Sequence, residues 1–97
     1  MQTICSVARA GKRPILFRPR GKGADQLPTG ELPVVLDARH CVAHVAKIAV
    51  NVIRDEDGKN VLPQTLLAWF GPEAGMPGRK ERVAFVMRGN AVHVEPA

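Results

Sequence analysis

The strongest periodic pattern of apolar side chains lies between residues 38 and 54. On a helix, with about 100° between successive residues, an arc of roughly 140° holds Cys41, Val42, Val45, Ile48, Ala49, Val52 and Ile53. Polar residues take the other side, and only Val50 is misplaced. Asp37 stands just before the pattern, where a helix-capping side chain is expected. The pattern therefore predicts a long amphipathic helix over residues 38–54.

A β-strand interpretation competes for the same segment. Many of its apolar residues are β-branched, and Asp57-Gly58 is typical of a hairpin turn. In that interpretation Ala49–Arg54 pairs with Lys59–Leu62. We favour the helix, because a strand would collect on one poorly sorted face Val45, Lys47, Ala49, Asn51 and Ile53. For residues 45–62 two structures therefore remain possible from the sequence: a helix followed by a loop, or a β-hairpin.

A second, shorter helix is predicted over residues 62–70. Pro63 suits the first turn, Gly71 suits the position just past the end, and Pro72 prevents continuation. One apolar stripe at helical spacing is formed by Leu62, Leu66, Trp69 and Phe70. This stripe is expected to pack on the sheet or on the long helix.

The end of the chain predicts a β-hairpin over residues 82–95. Val83, Phe85 and Met87 alternate with other residues, and Gly89-Asn90 is typical of a type II′ turn. Shorter strands are predicted at Gln2–Val7, Ile15–Phe17 and Val34–Leu36, and a flexible Gly/Pro-rich loop is predicted over residues 21–33. The predicted fold is α+β, with both helices on one face of a small, mainly antiparallel sheet.

The composition is that of one small globular domain spanning residues 1–97. The chain has 97 residues, of which 45% are hydrophobic and 24% charged, enough for one modest core that a homodimer would enlarge. No apolar run approaches the roughly 20 residues of a membrane span, and the N-terminus lacks a secretory pattern. Cys5 and Cys41 lie far apart and are expected to be reduced thiols. We therefore expect a cytoplasmic protein.

The net charge of +5 is concentrated at the N-terminus. Residues 1–22 hold six of the 14 basic residues and no acid, so the remaining eight basic and nine acidic residues leave the rest nearly neutral. A second basic cluster lies at residues 79–82, whereas the acidic run 55–57 is expected to lie away from any phosphate-binding surface. The candidate phosphate contacts are Arg9, Lys12, Arg13, Arg18, Arg20, Lys22, Arg79, Lys80 and Arg82.

No pattern in the chain indicates catalysis, a metal or a cofactor. His40 and His44 stand one helical turn apart beside Cys41, but no third ligand has a diagnostic spacing. His93 could pair with a distant cysteine, yet no motif orients it. The glycine-rich segments 21–23 and 71–78 match no phosphate-loop motif.

We therefore expect a small non-enzymatic nucleic-acid-binding accessory protein, without deciding between DNA and RNA. The alternative is a protein–protein interaction module, a small inhibitor or adaptor, that uses exposed aromatic and Gly/Pro-loop surface. Its candidate interface residues are Trp69 and Met76, although core packing is the favoured role for Trp69 and Phe70.

Overall fold

A computed structural model describes residues 2–97 as seven β-strands and one α-helix. In chain order the elements are β1 (Gln2–Ala10), β2 (Arg13–Phe17), β3 (Gly30–Leu36), β4 (Arg39–Val45), β5 (Ala49–Arg54), α1 (Leu62–Phe70), β6 (Arg82–Arg88) and β7 (Ala91–Pro96). The strands close into a barrel in the order β1-β2-β5-β4-β3-β7-β6. The predicted α+β class, with a small sheet and a long amphipathic helix, is therefore wrong.

The segment from residue 38 to residue 54 forms two antiparallel strands instead of the predicted helix. Asp37 and Ala38 both have positive φ angles, 53° and 63°, and they connect the paired residues Leu36 and Arg39. Two consecutive left-handed residues form a type I′ turn, whose twist suits an antiparallel hairpin. Asp37 is consequently part of the β3–β4 turn rather than a helix cap.

The helix prediction failed because the apolar residues that supported it have a spacing that fits a strand as well as a helix. Buried residues four apart in the chain are Cys41, Val45, Ala49 and Ile53. A spacing of four suits a strand of period 2 as well as a helix of period 3.6. The residues that distinguish the two periods follow the strand: Ala43 and Val50, opposite the apolar arc on a helix, are fully buried, whereas Val42 is 40% exposed and Ile48 is 68% exposed.

The competing interpretation is correct in making Ala49–Arg54 a strand, but its pairing with Lys59–Leu62 is limited to the turn end, where the backbone N–H of Val61 donates to the carbonyl of Ile53 at 2.8 Å. β5 pairs with β4 and β2, and an isolated bridge joins Arg54 to Asn60. The Asn60 side-chain oxygen accepts hydrogen bonds from the backbone N–H groups of Ile53 and Leu62, at 3.2 Å each. Asn60 thereby fixes the start of α1 against β5.

Helix α1 covers a gap in the barrel wall between β2 and β5. The pairing of these two strands joins Leu16–Phe17 to Ala49–Val50. Pro14, which has no N–H to donate, lies in the part of β2 beyond this pairing. α1 packs against both strands, and its Leu62 and Leu66 join the core.

The short helix predicted over residues 62–70 is confirmed with those bounds. Gly71, at φ 88°, ends it and donates its N–H to the carbonyl of Leu67 at 2.8 Å. The predicted C-terminal hairpin is present as β6 and β7, and Gly89 has the positive φ of 61° that a type II′ turn requires at its first position. Among residues 2–97 no helix approaches the length that crossing a bilayer requires.

Two loops pack at opposite ends of the barrel. We call the end with the β1–β2 and β3–β4 turns the upper end, and the other the lower end. The loop of residues 71–81 precedes β6 at the upper end, where Gly75 lies so close to β1 that a Cβ atom would be 2.5 Å from the carbonyl oxygen of Ala8. The loop of residues 18–29 precedes β3 at the lower end, and its Leu27 is buried in the core.

Cys5 and Cys41 are free thiols buried inside the barrel, on β1 and β4. Burial raises the pKa of the Cys5 thiol to about 12, and it also raises the pKa of Cys41. Neither sulfur is therefore ionised near neutral pH, and a thiol that stays protonated is a poor nucleophile.

Candidate nucleic-acid interface

Three of the nine predicted phosphate contacts are held by bonds inside the protein. The first is Arg9, whose guanidinium donates to the carbonyl oxygens of Ala74 and Pro72, at 2.7 Å each, and of Lys12 at 2.9 Å. Because two of these carbonyls belong to the loop 71–81, Arg9 fixes that loop to the upper end of β1. Its observed role is structural.

Arg18 holds the lower end together in the same way. Its guanidinium donates to Asp25 at 2.6 Å, to the carbonyls of Leu27 at 2.6 Å and Ala46 at 2.7 Å, and to the Thr29 hydroxyl at 3.1 Å. The side chain is only 9% exposed. Arg18 thus ties the loop 18–29 to the β4–β5 turn, and little of its guanidinium is accessible to a ligand.

Arg79 is the third engaged residue. It forms ion pairs with Glu73 and Glu81 and donates to the carbonyl of Phe70 at 3.1 Å. Outside the predicted set, Arg88 makes two hydrogen bonds to Glu95, at 2.5 and 2.6 Å, and this contact lowers the pKa of that carboxyl. Such cations are already compensated and contribute little free charge.

The other six predicted contacts are exposed, and within residues 2–97 their side chains make no hydrogen bond or ion pair: Lys12, Arg13, Arg20, Lys22, Lys80 and Arg82. The barrel separates them. Lys12 and Arg13 lie at the upper β1–β2 turn, whereas Arg20 and Lys22 follow β2 at the lower end. The N-terminal segment therefore does not present its charge as one arm.

A row of outward-facing residues crosses three strands near the middle of β1. Ser6 pairs with Phe17 of β2 on one side and with Arg82 of β6 on the other. Adjacent strands are about 4.8 Å apart, so the Cα atoms of Phe17 and Arg82 are separated by about 10 Å. Phe17 is 41% exposed, and Ser6 between them is exposed and small.

A cleft flanks this row on each side. The first, of about 360 Å³, is lined by Ser6, Val7 and residues 79–82. The second, of about 190 Å³, is lined by Phe17, Arg18, Pro19, Arg20, Asp25, Lys47 and Ile48. Since Ser6 and Phe17 are paired neighbours, the two clefts lie side by side on the barrel wall.

We call this surface the cross-strand band and define it as Ser6, Phe17, Arg20, Lys47, Ile48, Lys80 and Arg82. It carries four exposed cations, on Arg20, Lys47, Lys80 and Arg82. The carboxylates that line its clefts, Asp25 and Glu81, are ion-paired with Arg18 and Arg79. The band therefore combines net positive charge with one exposed aromatic ring.

The acidic run 55–57 lies elsewhere on the barrel. With Ala38, Arg39 and His40 it lines a cleft at the upper end of β4 and β5. The band reaches these two strands only at their other, lower end, through Lys47 and Ile48 in the β4–β5 connection. The acidic run is thus outside the band, whose own carboxylates are the ion-paired Asp25 and Glu81.

The two predicted protein-interface residues occupy different sites. Trp69 is half-buried against the core, edge-to-face with Phe70 at a centroid distance of 6.2 Å, and lines a cleft with His93 at the end of β7. Met76 is 44% exposed in the loop 71–81. The core packing expected for Trp69 and Phe70 is present.

The histidines are not arranged for metal binding. His40 and His44 lie on a strand instead of a helix, so their Cα atoms are about 13 Å apart rather than one turn apart. The Nδ1 atom of His44 is 3.2 Å from a Glu31 carboxylate oxygen. Among residues 2–97 no cluster of three or more His, Cys, Asp or Glu residues is placed to hold a metal ion.

Sequence reasoning missed Phe17, Ser6, Lys47 and Ile48. Ile48 and Lys47 were assigned to opposite sides of a helix, whereas both lie in the exposed β4–β5 connection. Phe17 was counted within an apolar run, although it comes between Leu16, which is fully buried, and Arg18. Because successive side chains of a strand point to opposite faces, a core position for Leu16 would have indicated that Phe17 lies on the outer face.

Comparison of the chain with protein-family models, with curated proteins and with solved structures found no match in any of the three. The functional proposal for this barrel therefore depends on the geometry and charge of the cross-strand band.

Proposed function

We propose that this protein is a non-enzymatic binder of single-stranded nucleic acid, and that the strand lies along the cross-strand band. The observation that carries the proposal is the row of Arg82, Ser6 and Phe17 between two adjoining clefts. Non-specific single-strand binding combines a positively charged track with aromatic rings on which bases stack. Within the band, the Cα atoms of the cationic Arg82 and the aromatic Phe17 are about 10 Å apart.

The exposed ring favours an unpaired strand over a duplex. In a duplex the faces of the bases are covered by their neighbours, so a ring on a barrel wall can stack only on a base that is free to turn outward. Phe17 supplies such a platform, and the small Ser6 beside it leaves room for a base to lie flat. In this proposal the four cations of the band contact the phosphates that flank the stacked base.

Salt dependence tests the charge part of the proposal. For a single strand, log K falls by about 0.7 per phosphate contact for each unit of log salt, so four contacts predict a slope of about −3. Fluorescence anisotropy with a labelled single-stranded octamer measures this slope. A Lys80→Gln/Arg82→Gln variant should have a slope smaller by about 1.4.

The matched control is Arg39→Gln/Lys59→Gln, which removes two exposed cations away from the band. It should leave the slope unchanged. No binding at low salt, or equal effects of the two double variants, would show that the band does not bind nucleic acid.

Stacking is tested by Phe17→Ala. Loss of one base–aromatic stack costs about 1–3 kcal/mol, so affinity should fall by about 5-fold to about 150-fold. Val42→Ala is the control, because Val42 is 40% exposed on β4 and is not part of the band. Polyglutamate serves as an anion without bases: if it binds as tightly as the octamer and Phe17→Ala has no effect on either, the partner is an acidic protein.

We further propose a cytoplasmic location. This is supported by the two free cysteines, since buried unpaired thiols are typical of a reducing compartment. Subcellular fractionation tests it, and recovery from an oxidising compartment would contradict it.

A further inference from the structure

The cleft beside Phe17 contains a carboxylate that a simple phosphate-binding surface does not need. We infer that this cleft selects bases with an exocyclic amino group over thymine and uracil, with Asp25 as the acceptor. The inference rests on the proposed function and adds to it a preference among bases. The band's cations would set affinity, and Asp25 would set the choice of base.

Asp25 is held in a fixed orientation at this cleft. One carboxylate oxygen accepts from the Arg18 Nε–H at 2.6 Å, and the other accepts from the backbone N–H of Leu27 at 3.0 Å. An ionised carboxylate has about four lone-pair sites, so roughly two remain for a ligand. The side chain is 21% exposed and lines the cleft together with Phe17.

A fixed acceptor distinguishes pyrimidines that otherwise stack alike. Cytosine presents an N4 amino group that can donate to a carboxylate, and aspartate is a known type of partner for it. Thymine and uracil present a carbonyl oxygen at the same ring position, which would meet the carboxylate as two facing acceptors. Adenine also offers an amino donor, on N6. The anchoring of Asp25 means that it cannot turn away without breaking its bonds to Arg18 and Leu27.

The cations near Asp25 do not remove this selectivity. Arg20 and Lys47 line the same cleft and are exposed, whereas Asp25 is compensated by the nearly buried Arg18. Phosphates therefore have free cations to contact, while the base on Phe17 meets the carboxylate. A base that can donate gains a charge-assisted hydrogen bond, which is about twice as strong as a neutral one.

The test compares labelled octamers of deoxycytidine and thymidine at pH 8 and one low salt concentration. The two have the same charge and the same ring size, so a difference between them reports the base edge. We expect the cytidine octamer to bind about tenfold more tightly. Equal affinities would overturn the inference and leave the proposed function standing, whereas no binding of either octamer would overturn the proposed function itself.

Asp25→Asn assigns the preference to this residue. The amide keeps the size of the side chain but has one oxygen where Arg18 and Leu27 both donate, so no ionised acceptor is left for a base and the ratio of the two affinities should fall to nearly one. Thymidine binding should be retained or improved, an outcome that a misfolded variant would not give. Asp57→Asn, an exposed acid outside the band, is the control and should keep the tenfold ratio. A ratio unchanged by Asp25→Asn would overturn the role of Asp25.

Discussion

Substitution of Arg18 should destabilise the protein strongly, whereas the same substitution at Arg20, two residues away, should have almost no effect on stability. Arg18→Gln removes the guanidinium that bonds Asp25, Leu27, Ala46 and Thr29. The glutamine amide cannot reach all of these acceptors with the same geometry. The Asp25 carboxylate then loses its ion-pair partner, and the loop 18–29 keeps only the backbone bond from the Arg18 N–H to the Ile48 carbonyl, at 2.9 Å, as its link to the β4–β5 turn.

The loss of stability expected for Arg18→Gln follows from the burial of the Arg18–Asp25 ion pair. Removing one partner of a buried ion pair destabilises a protein by about 3–5 kcal/mol. Because Asp25 is 21% exposed and can regain some water, we expect the lower end, about 3 kcal/mol. This is a large part of the roughly 5–15 kcal/mol that stabilises a typical domain.

Urea unfolding followed by far-ultraviolet circular dichroism measures the difference. With an m-value of about 1.5 kcal/mol/M, the Arg18→Gln midpoint should fall by about 2 M. Arg20→Gln, an exposed site without internal bonds, should stay within about 0.5 kcal/mol of the parent. If the two substitutions destabilise equally, or if Arg18→Gln costs less than about 1 kcal/mol, the structural role assigned to Arg18 is wrong.

Two further predictions concern the β3–β4 turn and the buried thiol. Ala38→Gly should stabilise the protein by roughly 0.5 kcal/mol. Relieving the left-handed conformation of an alanine is worth about 1–2 kcal/mol, which exceeds the entropy cost of a glycine, about 0.5–1 kcal/mol. A lower urea midpoint for this variant would contradict the type I′ turn. The raised pKa of Cys5 means that the folded state binds the thiol proton more tightly than the unfolded state does. The contribution of Cys5 to the free energy of unfolding is therefore complete below pH 9 and is lost between pH 9.0 and about 12, with a slope of at most about 1.4 kcal/mol per pH unit. Unfolding at pH 8–10.5 should therefore show a steeper loss in the parent than in Cys5→Ala, and identical slopes would place Cys5 outside the core.

The candidate site was only partly predictable. Basic residues can be counted from the sequence, but the sequence does not show which of them are hydrogen-bonded or ion-paired inside the protein. Arg9 and Arg18 look like free cations in a segment without acids, but their acceptors are mostly carbonyl oxygens that the fold brings to them. The four free cations of the band come from three separate places along the chain, and one of them, Lys47, belongs to a segment that the sequence pattern assigned to a helix. Only the strand order places Arg82 and Phe17 on either side of Ser6.

The sequence by itself determined the elements whose boundaries depend on local backbone chemistry. Pro63 and Gly71 define α1, and Gly89 defines the last hairpin, because proline and glycine restrict or extend the backbone whatever surrounds them. The tertiary structure decided between helix and strand for residues 38–54, since residues four apart satisfy both periods and the choice depends on which partners bury them. It also decided which arginines are free, because a hydrogen bond between distant residues exists only once the barrel has closed.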